Sequence, residues 1–259
     1  MLALLVTLAS LVCALWAYRL GRTRFWLVGY ILPLAIILAI GWIRQTNADF
    51  EWPWTIMMSG RREFVLLALS IATLLVTPLS RLPTARNRRA VIILTVILAG
   101  YAGVYPFLSP ALSRLQIEAM QTRLDADGVC LQNSSYTCGP AAAVTVLRRL
   151  GVEADERPLA LECGTCPATG TPCDQLAEGI ERLYPEVECR FQRFEQASDM
   201  PVDTLAVVRL GPFVDHYVAV LEVSSDRVVL GDPLDGKRTM SHLELEASWR
   251  GLGLVLSRR

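Results

Sequence analysis

The chain has 259 residues, with 25 acidic and 25 basic side chains and 53% hydrophobic residues. Its length allows one or two domains. The zero net charge hides a change along the chain, because residues 1–127 carry a net charge of +6 and residues 128–259 a net charge of −6. An acidic second half is not expected to bind the phosphates of nucleic acid.

Four long apolar runs without internal charge occupy the first half of the chain. Crossing a bilayer takes about 20 apolar residues, in a range of roughly 17–25. We therefore predict that residues 1–109 are an all-α region of four membrane spans, with a lipid bilayer as partner. The alternative is four buried helices of a large soluble domain, but the flanking Arg residues favour a membrane. The runs are Leu2–Tyr18, Phe25–Ile43, Phe64–Leu79 and Ala90–Leu108.

Aromatic and basic residues near the ends of these runs predict the topology. Trp52-Pro53-Trp54 is expected to form an interfacial loop, where amphipathic rings prefer the headgroup zone. The short loops after the first and third runs hold seven Arg residues, against five in two longer stretches. Positive residues stay on the cytoplasmic side, so both chain ends are expected outside a bacterial cytoplasmic membrane. The first run lacks a charged start and is expected to be retained.

The segment between the apolar region and the second half has two interpretations. Residues 110–127 form either an amphipathic connector helix, with apolar residues at Leu112, Leu115, Met120 and Leu124, or a solvent-exposed linker. The sequence leaves both open.

Residues 128–259 show helical patterns first and strand patterns afterwards, which indicates an α+β domain with an antiparallel sheet. Helices are predicted at Pro140–Leu150 and Gln175–Leu183, and a short one at Thr239–Trp249. The predicted strands are Val187–Phe194, Thr204–Leu210, Val214–Val223, Arg227–Leu230 and Gly253–Ser257.

Residues 132–140 read Gln-Asn-Ser-Ser-Tyr-Thr-Cys-Gly-Pro and stand directly before the first of these helices. A cysteine at a helix N-terminus meets unpaired backbone N–H groups and the positive end of the helix dipole. That environment favours the thiolate, the nucleophilic form of sulfur. Pro140 suits the first helical turn, and Gly151 suits the cap at the far end. The pattern predicts Cys138 as a nucleophile.

A thiol nucleophile needs a base, and the chain has only two histidines. His216 lies in an apolar strand that can hold an imidazole rigidly. His242 lies in a polar segment that is expected to be exposed. We therefore favour His216 as the base, against the alternative of a buried histidine with a structural role.

Three aspartates could orient the imidazole. Neighbouring strand residues point to opposite faces, so Asp215 is poorly placed to hold His216. Asp232 ends the next strand, where a short hairpin returns it beside His216, whereas Asp235 lies further into the turn. Gln132 offers an amide donor that would complete an oxyanion hole with the Cys138 N–H.

Together these residues resemble the bacteriocin-processing, double-glycine leader peptidase family, a branch of the papain-like cysteine peptidases. The match consists of Gln132 six residues before Cys138, a histidine in an apolar strand, Asp232-Pro233 one hairpin later and Trp249-Arg250-Gly251 before the last strand. It covers roughly residues 128–259 and none of the apolar runs. Thr137 departs from the family, which often has Asp there.

The resemblance implies a papain-like cysteine peptidase domain, with helices packed on an antiparallel sheet. It implies a membrane-anchored endopeptidase that cleaves peptides or leader sequences after small residues such as Gly-Gly, with Cys138, His216, Asp232 and Gln132 in the catalytic roles. No cofactor is expected. Many relatives are fused to an exporter with a nucleotide-binding loop, and this sequence has no such loop, so a separate exporter is a candidate partner. The alternatives are a non-enzymatic peptide-binding or maturation partner, or another thiol acyl transferase or amidase on the same scaffold.

The remaining cysteines allow two further interpretations. In an oxidising compartment, four of the five in the second half could form two disulfides. Alternatively, Cys163, Cys166 and Cys173 with one more ligand could hold zinc, although the spacing is loose. Cys13, in the first apolar run, is expected to be inert. The five cysteines are Cys130, Cys163, Cys166, Cys173 and Cys189.

Overall fold

The computed structural model describes residues 2–48, 53, 54, 58, 61–211 and 214–259. Trp52, at the start of the predicted interfacial loop, lies outside these residues. The chain divides into two compact units, residues 1–109 and residues 110–259. The second unit therefore includes the segment that the sequence marked as a connector.

The first unit is helical, and the four predicted apolar helices are confirmed. They are α1 (Leu2–Leu20), α2 (Val28–Gln45), α3 (Arg62–Val76), which a 3₁₀ turn extends through Thr77–Arg81, and α4 (Ala85–Glu118). Within the described residues, these four helices are long enough and apolar enough to cross a membrane. Many large apolar side chains point outward, among them Leu4, Ile31 and Leu38, each 64% exposed.

Small and polar side chains hold the helical unit together. Ala17 packs with Val76 and Leu79, and Gly29 lies directly against the side chain of Thr77. Small residues let helix backbones approach closely, which is how helices associate in lipid. Arg44 forms an ion pair with the buried Glu63, so each charge has a partner of opposite sign.

Helix α4 corrects the expectation for residues 110–127. One helix runs from Ala85 to Glu118, so residues 110–118 continue the fourth apolar helix and no separate connector helix covers 110–127. The helix ends at Glu118, and a few residues later β1 (Arg123–Leu124) pairs antiparallel with β2 (Cys130–Leu131).

The second unit contains a six-stranded sheet in the order β3-β8-β4-β5-β6-β7, in which all described pairs are antiparallel. Its helices precede or interrupt the strands, so the predicted α+β class is confirmed. The strands are β3 (Val187–Arg193), β4 (Thr204–Gly211), β5 (Val214–Val223), β6 (Arg227–Asp232), β7 (Gly236–Ser241) and β8 (Trp249–Arg258). The helices are α5 (Cys138–Arg149), α6 (Glu156–Glu162), α7 (Cys173–Leu183) and α8 (His242–Glu246), with a 3₁₀ turn at Ala197–Asp199.

The predicted helix at Thr239–Trp249 is wrong at both ends. Residues 236–241 form β7, which pairs with β6 along its whole length, and α8 occupies only His242–Glu246. Because β7 is an edge strand, Lys237, Arg238 and Thr239 are exposed and show no apolar alternation. The last strand begins at Trp249, since a register shift lets β4 pair that far along β8.

Helix α5 is the central helix of this unit. It packs on β5, and every residue from Cys138 to Leu147 is buried. A second apolar cluster joins Val218 of β5 and Leu230 of β6 to Leu245 and Trp249. The sheet thus holds β5 rigidly in the middle of the domain, which fixes where His216 lies.

Candidate active site

Cys138 is the first residue of α5 and is 7% exposed. The residue before it, Thr137, does not cap the helix with its side chain. Instead, the Thr137 hydroxyl accepts a hydrogen bond from Ser134 N–H at 3.2 Å and donates one to the Ser134 carbonyl at 3.1 Å. No side-chain cap therefore covers the backbone N–H groups at the start of α5, which leaves them for an anion.

His216 lies on β5 and is 3% exposed. Its Nε2 is 2.7 Å from Oδ1 of Asp232. The imidazole is also hydrogen-bonded to Cys138, and since Nε2 faces Asp232, Nδ1 is the nitrogen left for the thiol. The structure thus brings Cys138, His216 and Asp232 into one connected row.

Asp232 ends β6 and is held from three sides. Besides His216, its Oδ1 accepts the backbone N–H of Leu234 at 2.9 Å, and its Oδ2 is 3.4 Å from Nη1 of Arg238. Burial raises the pKa of this carboxyl, but the bonds from His216 and Leu234 and the charge of Arg238 outweigh burial and lower it below its usual range. Asp232 is therefore a carboxylate at neutral pH.

The same contacts act on the imidazole in the opposite direction. Burial by itself lowers the pKa of His216, but the hydrogen bonds to Asp232 and Cys138 and the charges of those two groups outweigh burial. They raise the pKa of His216 from 6.5 to about 9. The imidazole therefore carries a proton at neutral pH, between a carboxylate and a sulfur.

The alternative residues lie elsewhere. Asp215 is bonded to the buried Arg250, with Oδ2 at 2.6 Å from Nη1. Asp235 pairs with Arg238 at 3.1 Å, outside the row. His242 is on α8, and its Nε2 lies 2.8 Å from the Ser224 carbonyl. The structure brings none of these three against His216.

Gln132 follows β2 and is fixed through its backbone. Its N–H donates to the Pro233 carbonyl at 3.0 Å, and its carbonyl accepts from Nη2 of Arg123 at 2.6 Å. Gln132 therefore lies beside the turn that follows Asp232. Its Oε1 is buried and has no hydrogen-bond partner among the described residues.

Sequence reasoning missed the groups that hold the neighbouring loop. Glu156 is fully buried, and its carboxylate accepts both the backbone N–H of Asn133, at 3.1 Å, and the side-chain amide of Asn133. Tyr136 donates to Oε1 of Gln116 at 3.0 Å. No local pattern distinguishes a buried Glu at a helix start from an exposed one, so a single sequence offers no signal for this contact.

The other cysteines have separate contacts and do not form one cluster. The seven cysteines, all within the described residues, form no disulfide. Cys166 Sγ is 3.2 Å from the Thr169 hydroxyl, Cys173 Sγ accepts from Tyr217 at 2.8 Å, and Cys163 packs against Gly179. Within the described part of the chain, no three His, Cys, Asp or Glu side chains lie together as a metal site would require. The arrangement gives no support to the zinc alternative.

Residues 127–259, just over half of the chain, match the Peptidase C39 family. The chain belongs to the Peptidase C39 family. This membership confirms the expected enzyme class, a cysteine peptidase, and the expected papain-like domain with its antiparallel sheet. The matched region begins at residue 127, so it contains all of Cys138, His216, Asp232 and Gln132.

Two relatives from Methanothermobacter species are similar to this part of the chain. An uncharacterised protein of Methanothermobacter marburgensis is 36% identical over 123 residues, covering 48% of this chain and 83% of that protein. Another, of Methanothermobacter thermautotrophicus, is 30% identical over 144 residues, covering 56% and 98%.

Solved structures resemble the chain more distantly. The peptidase domain of Streptococcus ComA, a bifunctional ABC transporter involved in quorum sensing, is 22% identical with a TM-score of 0.45 and covers 50% of this chain and 96% of that domain. A double-glycine motif protease from an AMS/PCAT transporter, solved with its leader peptide, is 15% identical with a TM-score of 0.45 and covers 54% and 96%.

The protonated imidazole predicts an alkaline limit to activity. As pH rises through about 9, His216 loses its proton and can no longer protonate a leaving amine, so kcat/KM should fall above that pH. Asp232→Asn removes the charged acceptor that raises the pKa. In this variant, the pH at which kcat/KM begins to fall should be lower than in the unchanged protein. Its kcat should drop at least about tenfold, though less than the ~10⁴-fold cost in serine triads.

A pH–rate profile on a Gly-Gly reporter peptide measures both effects. Asp235→Asn is the matched control, because it makes the same change in the same turn outside the row. An alkaline limb that stays near pH 9 in Asp232→Asn would show that Asp232 does not set the imidazole pKa. Both controls break an ion pair, but Asp235→Asn breaks one with the half-exposed Arg238, whereas Asp215→Asn breaks one with the buried Arg250 and is the more disruptive change.

Alkylation should single out Cys138. Burial raises the pKa of the Cys130, Cys163, Cys173 and Cys189 thiols to about 12, so they hold almost no thiolate at neutral pH. Iodoacetamide at pH 7.5 should therefore modify Cys138 first, as read by mass spectrometry of digests taken over time. A denatured sample should label all of them. Faster labelling of any of these four in the folded protein would contradict the assignment.

Proposed function

We propose that this chain is a membrane-anchored cysteine endopeptidase that cleaves peptides or leader sequences after small residues such as Gly-Gly. Cys138 is its nucleophile, His216 its acid and base, Asp232 the group that orients His216, and Gln132 an oxyanion donor. The observation that carries this proposal is the hydrogen-bonded row from Cys138 through His216 to Asp232, whose imidazole–carboxylate distance is 2.7 Å.

The row supplies each proton that peptide cleavage requires. With the thiol proton already held by His216, the Cys138 sulfur forms a bond to the scissile carbonyl carbon while the C=O π electrons move to oxygen. When that carbonyl re-forms, the C–N bond breaks and His216 gives its proton to the leaving amine. A water then gives a proton to His216 and attacks the thioester, the C–S bond breaks, and the acid leaves with Cys138 and the protonated His216 back in their starting state. Throughout, Asp232 holds the ring in one orientation and stabilises its charge.

The negative oxygen of the tetrahedral intermediate needs donors that are already in place. The start of α5 offers the Cys138 N–H, with no side-chain cap competing for it. Gln132 is clamped beside the Asp232 turn, and its buried side-chain amide has an unpaired oxygen among the described residues. The oxyanion role falls to the NH2 of this amide, because the NH2 donates hydrogen bonds, whereas the unpaired Oε1 only accepts them. One oxyanion donor is worth about 10²–10³ in kcat.

The substrate class and the exporter rest on the family. Small residues at the cleavage site, such as Gly-Gly, follow from the resemblance carried by Gln132, Cys138, His216 and Asp232-Pro233. The sequence contains no nucleotide-binding Gly-x-x-x-x-Gly-Lys-Ser/Thr loop. If cleavage is coupled to export, we therefore propose that a separate exporter hydrolyses the nucleotide.

Membrane anchoring is supported by the surface of the helical unit. Side chains such as Leu4, Leu15, Ile31 and Leu38 are at least 60% exposed, and a contiguous apolar surface of this kind is unfavourable in water. The four helices have the length and hydropathy of membrane spans. With the Arg-rich short loops on the cytoplasmic side, the peptidase domain lies outside the cytoplasm.

Peptide cleavage provides the direct test. The full chain in detergent or nanodiscs should release the fluorophore from a peptide ending in Gly-Gly-aminomethylcoumarin, and a matched Val-Val peptide should react far more slowly. Cys138→Ala should lower kcat at least about 10³-fold, because the acyl-enzyme cannot form. Cys189→Ala, which changes a partly buried cysteine outside the row, should remain active.

An active Cys138→Ala protein would refute the proposed mechanism. Equal cleavage of the Gly-Gly and Val-Val peptides would refute only the preference for small residues.

The orientation can be tested with fusions to alkaline phosphatase, which folds only outside the cytoplasm. A fusion after Arg259 should be active, and one truncated after Arg86 should be inactive, because the Arg-rich loop there is expected to be cytoplasmic. The opposite pattern would place the peptidase domain in the cytoplasm. Fusions to a fluorescent protein that matures only in the cytoplasm provide the reciprocal control.

A further inference from the structure

The match to the family begins at residue 127, but the compact unit that contains the site begins at residue 110. The residues between include the end of α4 and strand β1. We call Gln116–Arg123 the tail segment, and Gln132–Thr137, which leads into Cys138, the nucleophile loop. The contacts between these two segments are a feature of this chain that the family match does not cover.

The first part of the tail segment, around the end of α4, packs against the nucleophile loop. Ile117 and Met120 form a buried apolar cluster with Tyr136 and Ala160. At the edge of this cluster, the Tyr136 hydroxyl donates to Oε1 of Gln116 at 3.0 Å. Tyr136 stands two residues before Cys138, so the end of α4 holds the chain just ahead of the nucleophile.

The extended part of the tail segment holds the other end of the loop. The Gln121 carbonyl accepts the side-chain amide of Asn133 at 2.8 Å, and Nη2 of Arg123 donates to the Gln132 carbonyl at 2.6 Å. The Thr122 hydroxyl accepts the backbone N–H of Glu156, the buried residue that binds Asn133. Three consecutive residues of the tail segment thus reach the first two residues of the nucleophile loop, directly or through Glu156.

Arg123 has the most direct effect on the chemistry. The Gln132 carbonyl is held by Arg123, and the Gln132 N–H is held by the Pro233 carbonyl. With both backbone groups fixed, the direction of the Gln132 side chain is set by these two bonds and its own rotamer. Removing the Arg123 bond frees one side of this clamp without touching the catalytic row.

We propose that the tail segment positions the nucleophile loop, and that Arg123 is a positioning residue that orients Gln132 toward the oxyanion. This inference rests on the proposed oxyanion role of Gln132. If Arg123 has this role, the tail segment is part of the working peptidase, although it lies before residue 127, where the match to the family begins.

The test uses the full chain and the Gly-Gly reporter. Arg123→Met keeps the side-chain length and removes the donor, and kcat should fall about 10- to 100-fold with KM little changed, because small displacements of catalytic groups have effects of this size. Arg123→Lys keeps a donor and should recover most of the loss. Arg114→Met is the matched control, since Arg114 is bonded to Glu118 on the exposed face of α4, and it should leave kcat unchanged.

A double variant separates positioning from a general structural role. Gln132→Leu should lower kcat about 10²–10³-fold, and adding Arg123→Met to it should cause no further loss, because Arg123 acts through Gln132. An equal loss from Arg123→Met in both backgrounds would overturn the proposal.

The remaining outcomes distinguish this inference from the proposed function. If Gln132→Leu loses activity and Arg123→Met does not, the positioning role is wrong and the oxyanion role stands. If Gln132→Leu keeps its full kcat, both the oxyanion role and the positioning role are wrong. The activity of Cys138→Ala then decides separately whether the peptidase mechanism holds.

Discussion

The proposed chemistry depends on one buried hydrogen bond, the 2.7 Å contact between His216 Nε2 and Asp232 Oδ1. Both residues are at most 5% exposed, so water does little to stabilise either charge. Separating a buried ion pair leaves an uncompensated charge and costs about 3–5 kcal/mol. The protein meets this constraint with two further bonds to Asp232, from Leu234 and Arg238, and with the thiol on the other side of the ring.

The geometry of the sheet makes this bond possible. Strands β5 and β6 are antiparallel neighbours with Ala219 opposite Gly231, so His216 lies beyond the last paired residues of β6, next to the turn that begins at Asp232. Alternation along β5 sends Asp215 away from His216, and Asp215 pairs instead with Arg250 of β8. The apolar cluster around Val218 and Leu230 keeps both strands in place.

The loop before α5 connects this pair to the rest of the unit. Gln132 donates to the Pro233 carbonyl, so the proposed oxyanion donor and the proposed orienting carboxylate stand on neighbouring backbone segments. The buried Glu156 binds Asn133, and Tyr136 packs on the end of α4. Residues far apart along the chain therefore share one rigid support, and rigidity of this kind is what preorganised catalysis requires.

Local sequence determined the features that depend on few neighbours. Long uncharged apolar runs specify helices whatever their surroundings, so the four apolar helices were predictable. The same holds for the helix start at Cys138, the alternating strands and the set of residues typical of the family.

By contrast, β7 was missed because an edge strand with Lys237 and Arg238 on its surface lacks apolar alternation, and its pairing with β6 is a long-range contact. The extension of α4 to Glu118 was missed for a related reason, since it is stabilised by packing of Ile117 and Met120 on Tyr136. Among the aspartates, alternation argued against Asp215, but only the folded hairpin decides which carboxylate touches the imidazole. Tertiary structure alone decided three features: the raised pKa of His216, the hydrogen bonds of Glu156 to Asn133, and the two backbone bonds that hold Gln132. Each depends on charges and hydrogen bonds between segments that are far apart in the sequence.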